Sequence, residues 1–177
     1  MRKHTGMRPQ DIPILIKILS YIGSGQLTWQ MKQIAADLNI SASEVSESLN
    51  RSYHADLIDK SKKNVSRLAL LEFLIHGIRY VFPEKPGAMV RGVKTAHSAP
   101  PLNKLIGSNE SYVWPDANGK SKGQAIEPLY PSVVEASMND QFLYQCMALI
   151  DVLRVGRARE LELAKKHLEQ MILKYGK

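Results

Sequence analysis

Ser41 and Glu44 stand three residues apart, between Ile40 and Val45, and this short run restricts the backbone more tightly than any other in the chain. A serine hydroxyl at the cap position accepts from the third amide of a helix, and a glutamate there can reach back to the cap. Ile40 and Val45 occupy the two positions of a hydrophobic staple, which sets the angle at which the chain enters the helix. The pattern predicts a helix from Ala42 to Tyr53 or His54, with Val45 and Leu49 facing inward. Asn39, just upstream, tolerates the left-handed backbone that ends a helix. It closes a preceding helix predicted from a Thr28 cap, with Met31, Ile34, Ala35 and Leu38 on its apolar face. An earlier helix is expected over residues 12–22. Pro13 lies in its first turn, Leu15, Ile18, Leu19 and Ile22 share one face, and Gly23 and Gly25 end it.

Further along, the signals weaken. Leu57-Ile58 reads as a short extended stretch, followed by the basic turn KSKK at 60–63. A buried helix is expected from Val65 to about Ile78. Tyr80-Val81-Phe82 and residues 89–93 look like strands, and the Pro83-to-Gly87 turn between them predicts a hairpin. Residues 95–131 hold five prolines and read as an irregular connector, packed down by Tyr112, Trp114 and Leu129, or carrying short strands that the pattern does not place. Beyond it, Ser132 and Glu135 form a second candidate capping box. Asp140 is expected to cap a helix bearing Phe142, Leu143, Cys146, Met147, Ile150 and Leu153. A last helix follows Gly156, with Leu161, Ala164, Leu168 and Met171 on one face and a Glu162/Lys166 pair. The implied division is 1–94, a connector at 95–131, and a helical segment at 132–177.

Charge and composition narrow the classes of partner. The net charge of +7 and pI near 9.5 suit a polyanion, which is an argument about association and not about fold. Between Glu84 and Glu110 lie Lys85, Arg91, Lys94 and Lys104 with no acid among them. One cysteine, Cys146, allows no internal disulfide and points to the cytosol. No apolar run is long enough to span a bilayer, and the first ten residues lack the apolar stretch of a signal peptide. The five histidines have no metal-like spacing among themselves or with Cys146, and no phosphate loop, nucleophile elbow or dinucleotide fingerprint is present. Neither enzyme activity nor a cofactor or metal is expected. Cys146 and His76 read as structural residues.

The stretch QIAADLNISASEVSESLNRSYHADLI resembles the helix-turn-helix of winged-helix bacterial regulators, including the MarR-like ones. The match rests on Ile34, Ala35-Ala36, Leu38, the turn at Asn39-Ile40-Ser41, Val45, Leu49 and Leu57-Ile58. It implies a mainly α fold with a small β-hairpin wing, a winged helix-turn-helix joined to a C-terminal helical segment. It also implies a cytoplasmic transcriptional regulator that binds double-stranded DNA as a homodimer, with helix 42–54 in the major groove. Ser43, Ser46, Glu47, Asn50, Arg51 and His54 would then face the bases, with Asn50 pairing to adenine and Arg51 to guanine. Phosphate contacts would come from Lys60, Lys62 and Lys63, and from a wing bearing Lys85, Arg91 and Lys94. Glu47 is the awkward member, unless it accepts from a cytosine or orients Arg51. Arg2, Lys3 and Arg8 could form a basic arm.

Other readings stay open on the sequence. The same fold serves as a protein-interaction module, such as an antitoxin or adaptor, whose C-terminal helices would bind a partner protein. Those helices could equally supply the dimer contact, and the C-terminal half could hold an effector ligand. Arg154, Arg157 and Arg159 cluster around Gly156. They form either an anion or partner site, a nucleotide-handling enzyme being the remotest version, or a set of ordinary pairs with Asp151, Glu160 and Glu162.

Overall fold

A computed structural model of the protein describes residues 6–175. Eight α-helices run in the order α1 (Asp11–Gly23), α2 (Met31–Asp37), α3 (Ala42–His54), α4 (Arg67–His76), α5 (Ile78–Val81), α6 (Val133–Met138), α7 (Gln141–Val155) and α8 (Ala158–Lys174). Three strands, β1 (Met89–Lys94), β2 (Tyr112–Pro115) and β3 (Ser121–Ala125), lie between α5 and α6. The class is mainly α with a small sheet, as the sequence predicts. Among the described residues, no helix is long and apolar enough to cross a membrane.

Helix α1 organises the molecule. The expected single apolar face is too narrow a description, because every residue from Asp11 to Tyr21 is buried. A helix covered all round must be central, and α1 packs against α2 and α3 on one side and α7 on another. One continuous hydrophobic core takes in Leu15 of α1, Leu49 of α3, Trp114 of β2 and Leu153 of α7. It therefore crosses all three segments into which the sequence divides the chain.

The expected hairpin between residues 80 and 93 does not form. Tyr80-Val81 belongs to α5, which resumes the helical path at Ile78 after the single residue Gly77 that follows α4. A short apolar triplet suits a helix end as well as a strand, and the amides of Tyr80 and Val81 donate to Gly77 O at 3.0 and 3.1 Å, as a helical turn requires. Strand β1 instead pairs antiparallel with both β2 and β3, and β2 and β3 pair in parallel, so the three strands close on themselves. The close crossing explains Gly92: a Cβ there would lie 1.9 Å from the Trp114 carbonyl oxygen. Residues 95–131 thus carry two strands and two short 3-10 turns at Ala96–Ser98 and Leu102–Lys104. Trp114 is fully buried and donates from Nε1 to Asp151 at 2.6 Å.

In the C-terminal part, Asp140 caps α7 as expected, accepting from the Leu143 amide at 2.9 Å. Its other oxygen accepts from Lys17 at 2.9 Å and Ser20 at 2.8 Å, tying the cap to α1. The Ser132/Glu135 box does not form, and Ser132 Oγ is left unpartnered. Glu162 pairs with Lys165, one position short of the expected Lys166. The apolar face of α7 is covered by α1, α5, α6 and α8, and α8 also packs on α4. Those faces are used inside the chain.

Candidate nucleic-acid interface

Two tight helix ends position α2 and α3. At the end of α2 the Ile40 amide donates to Ala35 O at 2.9 Å and the Asn39 amide to Ala36 O at 3.2 Å, with Asn39 at φ 49°. This is a Schellman turn, with the asparagine in the left-handed position expected for it. The end of α3 repeats the device: Leu57 donates to Ser52 O at 2.9 Å and Asp56 to Tyr53 O at 3.1 Å, with Asp56 at φ 55°. The start of α2 lies later than the Thr28 cap implies. Gln30 precedes the helix, and its amide donates to the Gln33 side chain at 2.8 Å. Met31, expected on the apolar face, is exposed.

At the start of α3 half of the expected capping box is present. Ser41 Oγ accepts from the Glu44 amide at 3.1 Å, and Ile40 and Val45 are both buried. The Glu44 carboxylate turns away from the cap. It accepts from Gln10 at 2.9 Å and from Arg51. Burial alone would raise its pKa, but the hydrogen bonds from Arg51 and Gln10 outweigh burial and hold it below the ordinary carboxylate value.

Arg51 corrects the expected set of base-reading residues. Its side chain is 6% exposed and faces Asp11, which is fully buried. Nη2 donates to Asp11 Oδ1 at 2.7 Å and Nε to Oδ2 at 3.0 Å, a two-pronged pair between α3 and the first turn of α1. The Asp11 carboxylate, then that of Glu44, pushes the guanidinium further into its charged form. Ser48 and Ser52, one helical turn apart, are also fully buried on this inward side. Arg51 is therefore a structural tie and not a groove reader.

The remaining predicted positions do share the outer side of α3. Ser43 and His54 are exposed, while Ser46, Glu47 and Asn50 are half-buried. Immediately after α3 the chain doubles back through an antiparallel bridge between Ile58 and Val65, so a hairpin-like turn does exist, some twenty residues before the predicted one. Its tip carries Lys60, Lys62 and Lys63. Asp59 holds the tip: its carboxylate accepts from Ser61 Oγ at 2.7 Å, Asn64 Nδ2 at 2.8 Å and the Lys63 amide at 3.1 Å. The side-chain bonds from Asn64 and Ser61 hold this carboxyl far below its usual range.

The turn is also fastened to the helices. Lys62 donates from Nζ to Asn50 Oδ1 on α3. Lys63 lies 3.9 Å from the centre of the Trp29 ring and donates to the Trp29 carbonyl at 2.9 Å. Trp29, Ser46, Leu49 and the three residues Ser61, Lys62 and Lys63 line a notch of about 170 Å³ beside α3. Sequence reasoning missed Asp59 and Trp29. The Asp-x-Ser pattern at 59–61 was the available signal, since an aspartate that opens a turn bonds amides a few residues on. Nothing local marks Trp29.

The second basic group stands apart from this turn. Arg91 and Lys94 are exposed on β1, Lys85 lies on the loop before it, and Arg91 faces Lys122 across the β1–β3 pairing. The sheet meets α7 through the 3-10 turn at Ala96–Ser98, which packs on it, and directly, since Trp114 bonds Asp151 and the Lys94 carbonyl accepts from Tyr144 Oη at 2.8 Å. These residues do not form a hairpin wing.

The other candidate groups are mostly accounted for. Arg154 is buried and bonds Asp151 at 2.8 Å, Phe82 O at 2.9 Å and Glu127 O at 3.0 Å. Arg157 is exposed and reaches Glu110 at 3.5 Å. Cys146 is fully buried, and burial pushes its thiol pKa upward, in keeping with a core residue. His76, expected inside a helix, is exposed at the end of α4. Among the described residues, no group of three or more His, Cys, Asp or Glu side chains could hold a metal ion. Arg8 is exposed and its amide donates to Asp11 at 2.8 Å, whereas Arg2 and Lys3 lie outside the described residues. No family model, curated protein or solved structure matches the chain.

Proposed function

We propose that this protein binds double-stranded DNA, laying the outer side of α3 in the major groove and the turn at 59–64 against the phosphate backbone. The observation that carries the reading is the pairing of two surfaces. One is the polar stripe Ser43, Ser46, Asn50 and His54 on a helix whose opposite side is buried; the other is a lysine-rich turn fastened beside it by Lys62 and Lys63. Helix, turn and bridged strand pair follow one another in the order of a winged helix, with residues 57–66 in the place of the wing. Serine, asparagine and histidine reach base edges or phosphates, and lysines supply the sequence-independent attraction. On this reading the protein is a transcriptional regulator.

The reading leans on Lys60, Lys62 and Lys63, and not on Lys85, Arg91 and Lys94. The dimer that paired half-sites require belongs to the proposal too, through a surface other than the apolar faces of α7 and α8. The same burial weakens the adaptor reading, which drew on those faces.

Retardation of duplex DNA across a salt series tests the proposal. Wild type is expected to bind at low salt, with log K falling against log salt at about 0.9 per phosphate contacted. Replacing Lys60, Lys62 and Lys63 by glutamine should flatten that slope, by about one for each of them that contacts a phosphate. No retardation at any salt concentration overturns the proposal.

A further inference from the structure

We propose that Asn50 and Lys62 act as one positively charged, donor-dominated unit that selects guanine. This inference rests on the DNA-binding reading and deepens it. An ammonium group only donates, so the bond from Lys62 Nζ settles which end of the Asn50 amide faces the turn. It is Oδ1, and Nδ2 with its two hydrogens is the end left for another partner.

That changes the chemistry of the position. An unattached asparagine offers one donor and one acceptor side by side, the pattern that matches N7 and N6 of adenine. With one lone pair of Oδ1 taken by Lys62, the unit offers the Nδ2 hydrogens and the remaining Nζ hydrogens. The second lone pair of Oδ1 sits beside a positive charge, so donors and positive potential dominate. In the major groove, guanine presents two adjacent acceptors, N7 and O6. Adenine would set its N6 amino group beside the Lys62 ammonium, and cytosine presents only a donor. Thymine has one acceptor, O4, beside a methyl group. Guanine is the base that satisfies both members of the pair.

The arrangement is held from several sides. Asn50 and Lys62 are each half-buried. Lys62 sits at φ 57°, its amide donates to Asp59 O at 2.9 Å, and the Asp59 carboxylate organises the rest of the turn. The neighbouring Lys63 is committed to Trp29. The two lysines thus have different tasks, Lys63 fixing the turn and Lys62 completing Asn50.

Selection of sites from a randomised duplex pool, using the full chain, tests this directly. Wild type should enrich a guanine that both Asn50→Ala and Lys62→Met cease to enrich. Replacing that guanine by 7-deazaguanine, which lacks the N7 acceptor, should weaken wild-type binding by about five- to hundredfold and leave Asn50→Ala almost unaffected. The modified base needs no protein variant, so a misfolded mutant cannot hide the answer. Retention of DNA at low salt with an adenine at the Asn50-dependent position, or with no response to 7-deazaguanine, overturns this inference alone. Failure to retain any duplex overturns it together with the reading beneath it.

Discussion

Helices α3 and α7 begin and anchor themselves in the same manner but end up in opposite surroundings. Each starts with a side-chain cap, Ser41 for α3 and Asp140 for α7. Each also carries a buried arginine matched to an aspartate, Arg51 with Asp11 and Arg154 with Asp151. Yet α7 is enclosed, while α3 keeps a polar stripe exposed or half-buried. The shared devices fix a helix in place. What differs is whether the rest of the chain covers the far side, and only α3 is both rigidly held and left accessible.

The largest effects should fall on the shared arginine pairs. Arg154→Ala leaves Asp151 buried beside two carbonyls that have lost their donor, and Arg51→Ala leaves Asp11 buried at the start of α1. Each should cost about 3–5 kcal/mol in denaturant unfolding. Loss below 1 kcal/mol for either would break the parallel between the helices. The caps come next. Ser41→Ala should cost about 1 kcal/mol; Asp140→Ala should cost more, because Ser20 loses its acceptor and Lys17 one of its two carboxylate partners as well. Equal losses would mean that the tie from α7 to α1 contributes little.

Acid should act on the α2–α3 side. Glu44 and Asp37 both have folded pKa values below their ordinary 4.5 and 3.8, because hydrogen bonds from Arg51 and Lys17 outweigh burial. A lowered carboxyl pKa contributes stability above the unfolded value and loses it as pH falls through the folded one. Melting temperature should therefore drop below about pH 4.5, and Glu44→Gln should make the drop shallower. An unchanged profile in that variant would remove Glu44 from the account. The smallest stability change belongs to the outer surfaces. Asn50→Ala and glutamine at Lys60 should shift stability within about 0.5 kcal/mol while reducing DNA retention. Neutralising Lys85, Arg91 and Lys94 should change retention less than neutralising the three lysines of the turn.

How far these features are legible in the sequence depends on the reach of the contacts that make them. The cap at Ser41, the left-handed Asn39 and the cap at Asp140 each involve residues a few positions apart, and each was readable. Arg51 was misread because its partner, Asp11, is forty residues away and because the inward stripe includes Ser48 and Ser52, which carry no apolar signal. The sequence allows for short strands within 95–131 but does not place β2 and β3, for a related reason. YVWP and SKGQA are short, and each pairs with two neighbours, one of them in parallel. Their partners are set by a crossing at Gly92 that no local pattern encodes. The sequence points to a hairpin at 80–93 because the apolar triplet there is denser than anything around Ile58 and Val65, whose single bridge takes its order from the polar side chain of Asp59.

The burial of α1 has a consequence for how the chain is made. Its first partners, α2 and α3, leave the ribosome soon after it, but α7 follows more than a hundred residues later. Until residues 141–155 arrive, the side of α1 that carries Lys17 and Ser20 lacks the Asp140 carboxylate that joins it to α7. Contacts this distant in sequence form slowly, and apolar surface left waiting invites association with other chains. The packing around α1 is therefore completed last, although α1 is made before its partners, and a nascent chain stalled within residues 95–131 would display an unfinished α1.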